Sequence, residues 1–330
     1  MAEVVRGRNL LYLSKADVIG LGLSRQTILD RVLQALVEHG HKRYEMPAKI
    51  GVHPYQDVFF HAMPAYLPNM QLVGMKWIEC YPRNPTEFEL PQTTGLLCLN
   101  DVETGVPVCL MDSAWLTAMR TPAVTVLMAK HLHPDARRFG MCGAGVQGRE
   151  HVLFAAHHLP GLEEILVYDR LPEVAHRMVE EIQPGIDIPI RVGASVEQVV
   201  KECEVLSSAT IVLREPQSIA KDEWVSAGQT ILPCDLNTFW APETSRRADA
   251  YIVDSTEEHD LFVEMGYYPG GSPRITAETG EVLAGLAPGR TSSDQLIVNS
   301  NIGMAVVDIA VASAIHEAAL AAGVGALLDL

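Results

Sequence analysis

FGMCGAGVQGREH, Phe139 to His151, carries the spacing G-x-G-x-x-G at Gly143, Gly145 and Gly148. Three glycines so spaced mean little alone; their flanks give them meaning. The apolar run RRFGMCG leads into them and QGREHVLFAAHHL, with the look of a helix, leads out. The next apolar run, EEILVYD, ends in Asp169, 21 residues after Gly148. Each part of a strand–glycine–helix–strand–acid series has a physical task. The first glycine permits a tight turn, the second lets a pyrophosphate approach the backbone, and the third lets helix and strand pack closely. Gly143, Ala144, Gly145, Val146 and Gln147 thus form the expected cofactor cradle, with the N–H groups of the helix N-terminus facing the phosphates. Asp169 would accept hydrogen bonds from the adenine-ribose hydroxyls and repel a 2′-phosphate, so NAD(H) is expected over NADP(H), with the adjacent Arg170 as a counterweight.

Beyond this stretch the chain alternates strand and helix. IPIRV, CEVLSSAT, QTILPCD and AYIVDS read as strands, and PEVAHRMVEEI and SVEQVVKEC as helices. That alternation predicts a doubly wound parallel sheet, a Rossmann domain.

About 140 residues precede the glycines, and they read differently. SRQTILDRVLQALVEHG predicts a helix with Ser24 as N-cap, a stop at Gly40, and Ile28, Val32, Leu36 and Val37 on one face. FFHAMPAYL, LVGMKWIECY, TTGLLCLND and VPVCLMD follow as short strands, with a tight turn at Glu103–Gly105. Their spacing predicts a mainly antiparallel sheet. SAWLTAMRTPAVTVLMAKHL then reads as a helix broken or kinked at Pro122.

Composition narrows the function. The 330 residues are 48% hydrophobic and 20% charged, with a formal net charge of −16, the profile of a globular protein with length for two domains. An acidic chain repels phosphate backbones, so no nucleic-acid partner is expected. Cys80, Cys98, Cys109, Cys142, Cys203 and Cys234 form no C-x-x-C pair and several lie in apolar runs, which predicts reduced thiols, no metal site and a cytoplasmic protein. His131, His133, His157 and His158 lack neighbouring acids or cysteines and read as surface or helix-cap residues. The apolar C-terminus, MAVVDIAVASAIHEAALAAGVGALLDL, is interrupted by Asp308, His316 and Glu317, so it is expected to be a buried core or interface helix and not a membrane span.

A Rossmann domain does not name a reaction. Three cations stand in apolar surroundings of the first segment: Lys49 in EMPAKIG, Lys76 in GMKWIECYPRNP and Arg120 in LTAMRTPA. On composition each reads as a surface residue with a solvated tip. Lys76, inside VGMKWI, demands a reason, either an ion pair or an anionic ligand.

The ordered series MPAK, AMPAYL, GMKW with YPRNP, LNDVETGVPVCLMD, LTAMRTPA, GAGVQG, KDEWVSAG and GEVLAGLAPGR resembles the ornithine cyclodeaminase/mu-crystallin family over nearly the whole chain. The resemblance implies a dimer. It also implies a substrate-binding and dimerisation domain built from residues 1–119 and a C-terminal helix 305–330, with the Rossmann domain, 120–304, inserted between. It implies that Lys49, Lys76 and Arg120 hold a substrate carboxylate and that Thr121 contacts the cofactor phosphates. Ala209 and Thr210 are placed near the nicotinamide ribose, and Ser300 near its carboxamide. Asp235 is implied as the general acid/base, with Lys76 beside it in catalysis.

The chain departs from the family where Leu236-Asn237-Thr238-Phe239-Trp240 replaces a small Pro-Gly-Lys segment, at Gln92, and at Glu79-Cys80-Tyr81-Pro82. Glu79 is expected to pair with Arg83 or to meet a second cationic group on the substrate. The implied function is NAD(H)-dependent oxidoreduction at the C–N bond of a small amino or imino acid, by an amino acid dehydrogenase or imine reductase. The alternatives are a cyclodeaminase that recycles its NAD, releasing ammonia, and a non-catalytic binding protein of the mu-crystallin kind.

Overall fold

The computed structural model describes residues 4–330. The chain divides into two compact units, one running to Arg120 and resuming at Met304–Leu330, the other spanning Thr121–Gly303.

The strands of the first unit are β1 (Asn9–Leu13), β2 (Ile50–Val52), β3 (Phe59–Leu67), β4 (Leu72–Cys80), β5 (Thr93–Asn100), β6 (Pro107–Asp112) and a final strand, Ala326–Asp329. They form one sheet in the order final strand, β1, β6, β5, β4, β3, β2. Only β1 and β6 run parallel, so the sheet is mainly antiparallel, as the sequence predicts. Period-two alternation gives the sheet two faces. Met63, Ala65, Ile78, Leu97, Leu99 and Met111 are buried on one, and Met75, Trp77 and Leu96 are exposed on the other.

The helices Arg25–Gly40 and Ala305–Ala322 pack on each other, and the latter also lies on β3, β4 and β5. Ser24 caps the first, accepting from Thr27 N at 3.0 Å. The helix stops at Gly40 as expected, and the left-handed turn follows on Lys42, at φ 57°. Among the described residues Ala305–Ala322 is the one helix long and apolar enough to cross a membrane, and 67% of it is buried within the structure. The C-terminal helix expected to run to residue 330 ends at Ala322. Gly323 turns left-handed at φ 65°, and the chain then joins the sheet edge, pairing Leu328 with Leu10.

The helix Ala114–Leu132 continues through Pro122, so the break that the sequence allowed there does not occur. Proline costs the helix one hydrogen bond, but Ala118, Met119, Ala123, Val124 and Val126 are buried on either side of it. The boundary between the units falls within this helix, after Arg120.

The second unit contains β7 (Arg138–Cys142), β8 (Glu164–Tyr168), β9 (Ile190–Val192), β10 (Val205–Ser208), β11 (Thr230–Pro233), β12 (Ala250–Val253), β13 (Ala277–Glu278) and β14 (Ile297–Ser300). All pair in parallel, in the order β13, β12, β14, β11, β10, β7, β8, β9. This is the doubly wound sheet of a Rossmann domain. The order reverses at β7, because β8 and β9 lie on one side of it and β10 and β11 on the other; ligands bind beyond the strand ends at such a point. β13 and β14 are not among the strands expected from the sequence; β13, at two residues, is too short to show a period.

The glycine motif leaves β7 at this reversal. Gly143 has φ 104°, and a Cβ there would lie 2.5 Å from the Ala209 carbonyl oxygen. A Cβ on Gly148 would lie 1.8 Å from the Gly143 carbonyl oxygen, so the helix Val146–His158 can approach the turn only with glycine there. Gly148→Ala must push that helix off β7. The expected loss is about 1–3 kcal/mol of stability, read as a lower urea midpoint at unchanged slope.

Candidate active site

Lys76 lies on β4 between Gly74 and Ile78, on the buried face of the sheet. It is fully buried, and its Nζ stands 2.6 Å from Oδ2 of Asp308. Oδ1 of Asp308 accepts from Nε of Arg120 at 3.0 Å. Asp308 belongs to the first turn of the C-terminal helix, so three elements of the first unit converge on one carboxylate. Lys49 and Arg120 are also buried, 6% and 8% exposed. The reading of the three cations as solvated surface residues is therefore overturned: sequence composition does not show which face of a strand or helix is covered.

The electrostatics of this cluster are unusual. Burial holds the Lys76 ammonium down to about 7, against the pull of Asp308, with Arg120 and Lys49 adding repulsion. His61 on the neighbouring β3 is pushed to about 3, by burial first and then by Lys49, His53 and Lys76. The imidazole is thus neutral at ordinary pH. Lys76 and Arg120 share one carboxylate, so the pair retains a positive charge that an anion would balance. Asp308 engages Arg120 at Nε, which fixes the guanidinium plane and leaves its two terminal NH2 groups as the edge that matches a carboxylate.

In the second unit Asp235 follows β11 and is fully buried. Its Oδ1 accepts from the Ser208 hydroxyl at 2.8 Å, and its Oδ2 from the Thr210 hydroxyl and N–H at 2.7 and 3.1 Å. Burial raises its carboxyl above the usual range, and these three bonds oppose the shift.

The motif residues fit a dinucleotide. A Cβ on Gly145 would meet no protein atom within 4 Å, so nothing within the protein requires a glycine there; a close ligand would. Ala144 N donates to Asp169 Oδ2 at 2.8 Å, and Leu171 N to its Oδ1 at 2.9 Å, which orients the carboxylate beside the turn. Val146 is exposed at the helix start, Gln147 is half-buried, and Arg170 is exposed. Thr121, Ala209 and Thr210 are half-buried. Ser300, at the end of β14, is buried beside the Tyr251 and Tyr268 hydroxyls.

Two residues escape sequence reasoning. Asp308 reads there only as an interruption of an apolar helix, although a carboxylate in such a helix is itself a signal that a buried partner exists. Ser208 carries no signal, because a serine at a strand end is ordinary. The Glu79–Arg83 pair is not formed. Glu79 accepts from the Thr94 hydroxyl across the β4–β5 ladder, and Arg83 pairs with Glu87 one helical turn on, at 3.5 Å. Cross-strand and i,i+4 neighbours are closer than the loop path allows for the expected pair.

With this geometry described, comparison with known proteins is informative. The family model described as "Ornithine cyclodeaminase/mu-crystallin family" matches residues 10–323. The chain is similar to the nodulation efficiency protein NfeD of Rhizobium meliloti, at 32% identity over 96% of this chain and 98% of that one. Among solved structures it is similar to the Delta(1)-pyrroline-2-carboxylate reductase of Thermococcus litoralis in complex with NADH and L-proline (29% identity, TM-score 0.86, 96% of this chain and 99% of that one). It is also similar to an archaeal alanine dehydrogenase dimer with bound NAD (29% identity, TM-score 0.84, 97% and 99% covered).

The Lys76 cluster predicts a proton coupled to anion binding. A carboxylate seated beside Lys76 and Arg120 favours the charged ammonium and so raises its pKa above about 7. Affinity for a small carboxylate such as pyruvate should be level below that pH and fall about tenfold per unit above it. Calorimetric titration in buffers of different ionisation heat should show proton uptake near pH 8, and Lys76→Met should abolish that uptake.

Proposed function

The chain belongs to the ornithine cyclodeaminase/mu-crystallin family, and on that premise we propose that it is an NAD(H)-dependent oxidoreductase acting on the C–N bond of a small amino or imino acid, as an amino acid dehydrogenase or imine reductase. The observation that carries this reading is the buried Lys76–Asp308–Arg120 cluster, whose unbalanced charge calls for a small carboxylate. Lys49, Lys76 and Arg120 hold that carboxylate. Gly143, Ala144, Gly145, Val146, Gln147 and Asp169 hold the dinucleotide, Thr121 its phosphates, Ala209 and Thr210 its nicotinamide ribose and Ser300 its carboxamide; Arg170 lies at the adenine end. Bound there, NAD(H) supplies or accepts the hydride. The similarity to proteins solved with NADH and NAD supports that cofactor.

Asp235 is the acid/base at the carbon–nitrogen centre. Burial raises its carboxyl and the Thr210 and Ser208 bonds oppose that rise, the setting of a group that exchanges protons. In a dehydrogenase it assists water in releasing ammonia from the imino acid; in a reductase it manages the proton at the imine nitrogen. Lys76 is the second catalytic residue, its ammonium held down to about 7 by burial against the pull of Asp308.

The outer face of the first unit's sheet supports a homodimer. Phe60, Ala62, Pro64, Met75, Trp77, Leu96 and Leu110 share that face, and Met75, Trp77 and Leu96 stand exposed. The six free cysteines suit a reducing, cytoplasmic setting.

The test follows NADH absorbance in both directions with a panel of amino acids, cyclic imines, and 2-oxo acids with ammonia. A steady NAD(H)-linked rate is expected with at least one small substrate. Ammonia release without net NADH would instead assign the cyclodeaminase reaction. Asp235→Asn should lower the rate by three orders of magnitude or so with NADH binding, read by fluorescence, intact; an unchanged rate would remove Asp235 from the mechanism.

A further inference from the structure

The segment Leu236–Trp240 closes directly around Asp235. Leu236 takes φ 56°, an unfavourable left-handed conformation for a branched side chain. Thr238 N reaches back to Asp235 O at 3.1 Å to complete the turn. The far end is tied down by a bridge between Trp240 and Ala220, with Ala241 N bonded to Ala220 O at 2.9 Å. The strained turn thus brings the Trp240 indole back beneath Asp235, into a core with Cys142, Val225, Tyr251 and Val298. Its Nε1 donates to the Ser208 hydroxyl at 2.9 Å, and Ser208 donates to Asp235 Oδ1 at 2.8 Å. An indole N–H can only donate, so the direction of this series is fixed.

We propose that Trp240 is a positioning residue for Asp235: through Ser208 it orients the carboxylate and strengthens the bond that holds it charged. The proposal rests on the assignment of Asp235 as acid/base, but its geometry does not. Two donors in series polarise one another, so losing the first weakens the second. Trp240 and both its partners are at most 3% exposed, where water cannot replace a lost donor. Cys142 and Tyr268 are the titratable groups coupled to Asp235, and the Asp254 carboxylate also acts on Tyr268. Burial pushes the Cys142 thiol well up and Tyr268 up to about 12. Cys234 faces Nε2 of His151 at 3.4 Å, and burial holds His151 down at about 4. Burial itself raises the Asp235 carboxyl and the relay opposes that rise, so removing the relay moves the titration further up.

The test titrates the Asp235 carboxyl directly, by carbon-13 NMR of protein labelled at the aspartate carboxyls, without substrate. The resonance is identified by its absence from Asp235→Asn. Trp240→Phe should move its midpoint to higher pH, and Ser208→Ala should move it further. The double variant should titrate like Ser208→Ala alone, because Trp240 acts only through Ser208. A Trp240→Phe midpoint equal to wild type, or shifts that add in the double variant, would overturn the proposal. Should phenylalanine unfold the core, benzothienylalanine at position 240 keeps the indole shape and removes only the N–H, with the same outcomes expected. The pH–rate profile then separates the two assignments. A rate limb that moves with the resonance supports both, whereas a moving resonance with an unmoved limb leaves the relay standing and removes Asp235 from the reaction.

Discussion

The carboxylate of Asp308 is the constraint on which the first unit depends. It joins Lys76 of β4 to Arg120 of the helix Ala114–Leu132, and it is itself carried by the C-terminal helix. Two buried cations without it would stand unpaired in an apolar core, a cost of several kcal/mol. The chain must therefore leave the first unit after Arg120, build a second unit, and return before the first is complete. A late glycine motif is the consequence of that route. So is a long apolar helix at the end of the chain, which supplies both the cover for one face of the sheet and the one charge the cluster needs.

The same carboxylate leaves the cluster incompletely neutralised. One negative charge serves two positive ones, and burial first, then repulsion from Arg120 and Lys49, holds the ammonium down to about 7. A fully paired cluster would be an inert part of a core. One lacking a charge fits the proposed role of receiving a small anion. Asp235 presents the opposite arrangement. It is buried with donors on both oxygens, which oppose the rise that burial imposes on its carboxyl. One unit carries an ammonium held low, and the other a carboxyl held high, each by burial opposed by specific partners.

The sequence by itself determined the second unit well. Glycine spacing, a flanking strand and helix, and Asp169 at the right distance leave few folds open, because each is a local requirement of backbone and phosphate. The strand pattern of the first unit was equally legible, since period-two burial is written into β3, β4 and β5. What the tertiary structure alone decided is who meets whom. Asp308 lies 232 residues from Lys76 in the chain, and nothing local to either records the other. Ser208 and Trp240 are ordinary residues until the left-handed turn at Leu236 brings the indole beneath Asp235. Pro122 reads as a break because local rules price the lost hydrogen bond and not the packing on either side that outweighs it. Hydrogen bonds and desolvation act over a few ångströms of space, whereas sequence patterns report only neighbours along the chain, so the charges that set both sites had to be seen folded.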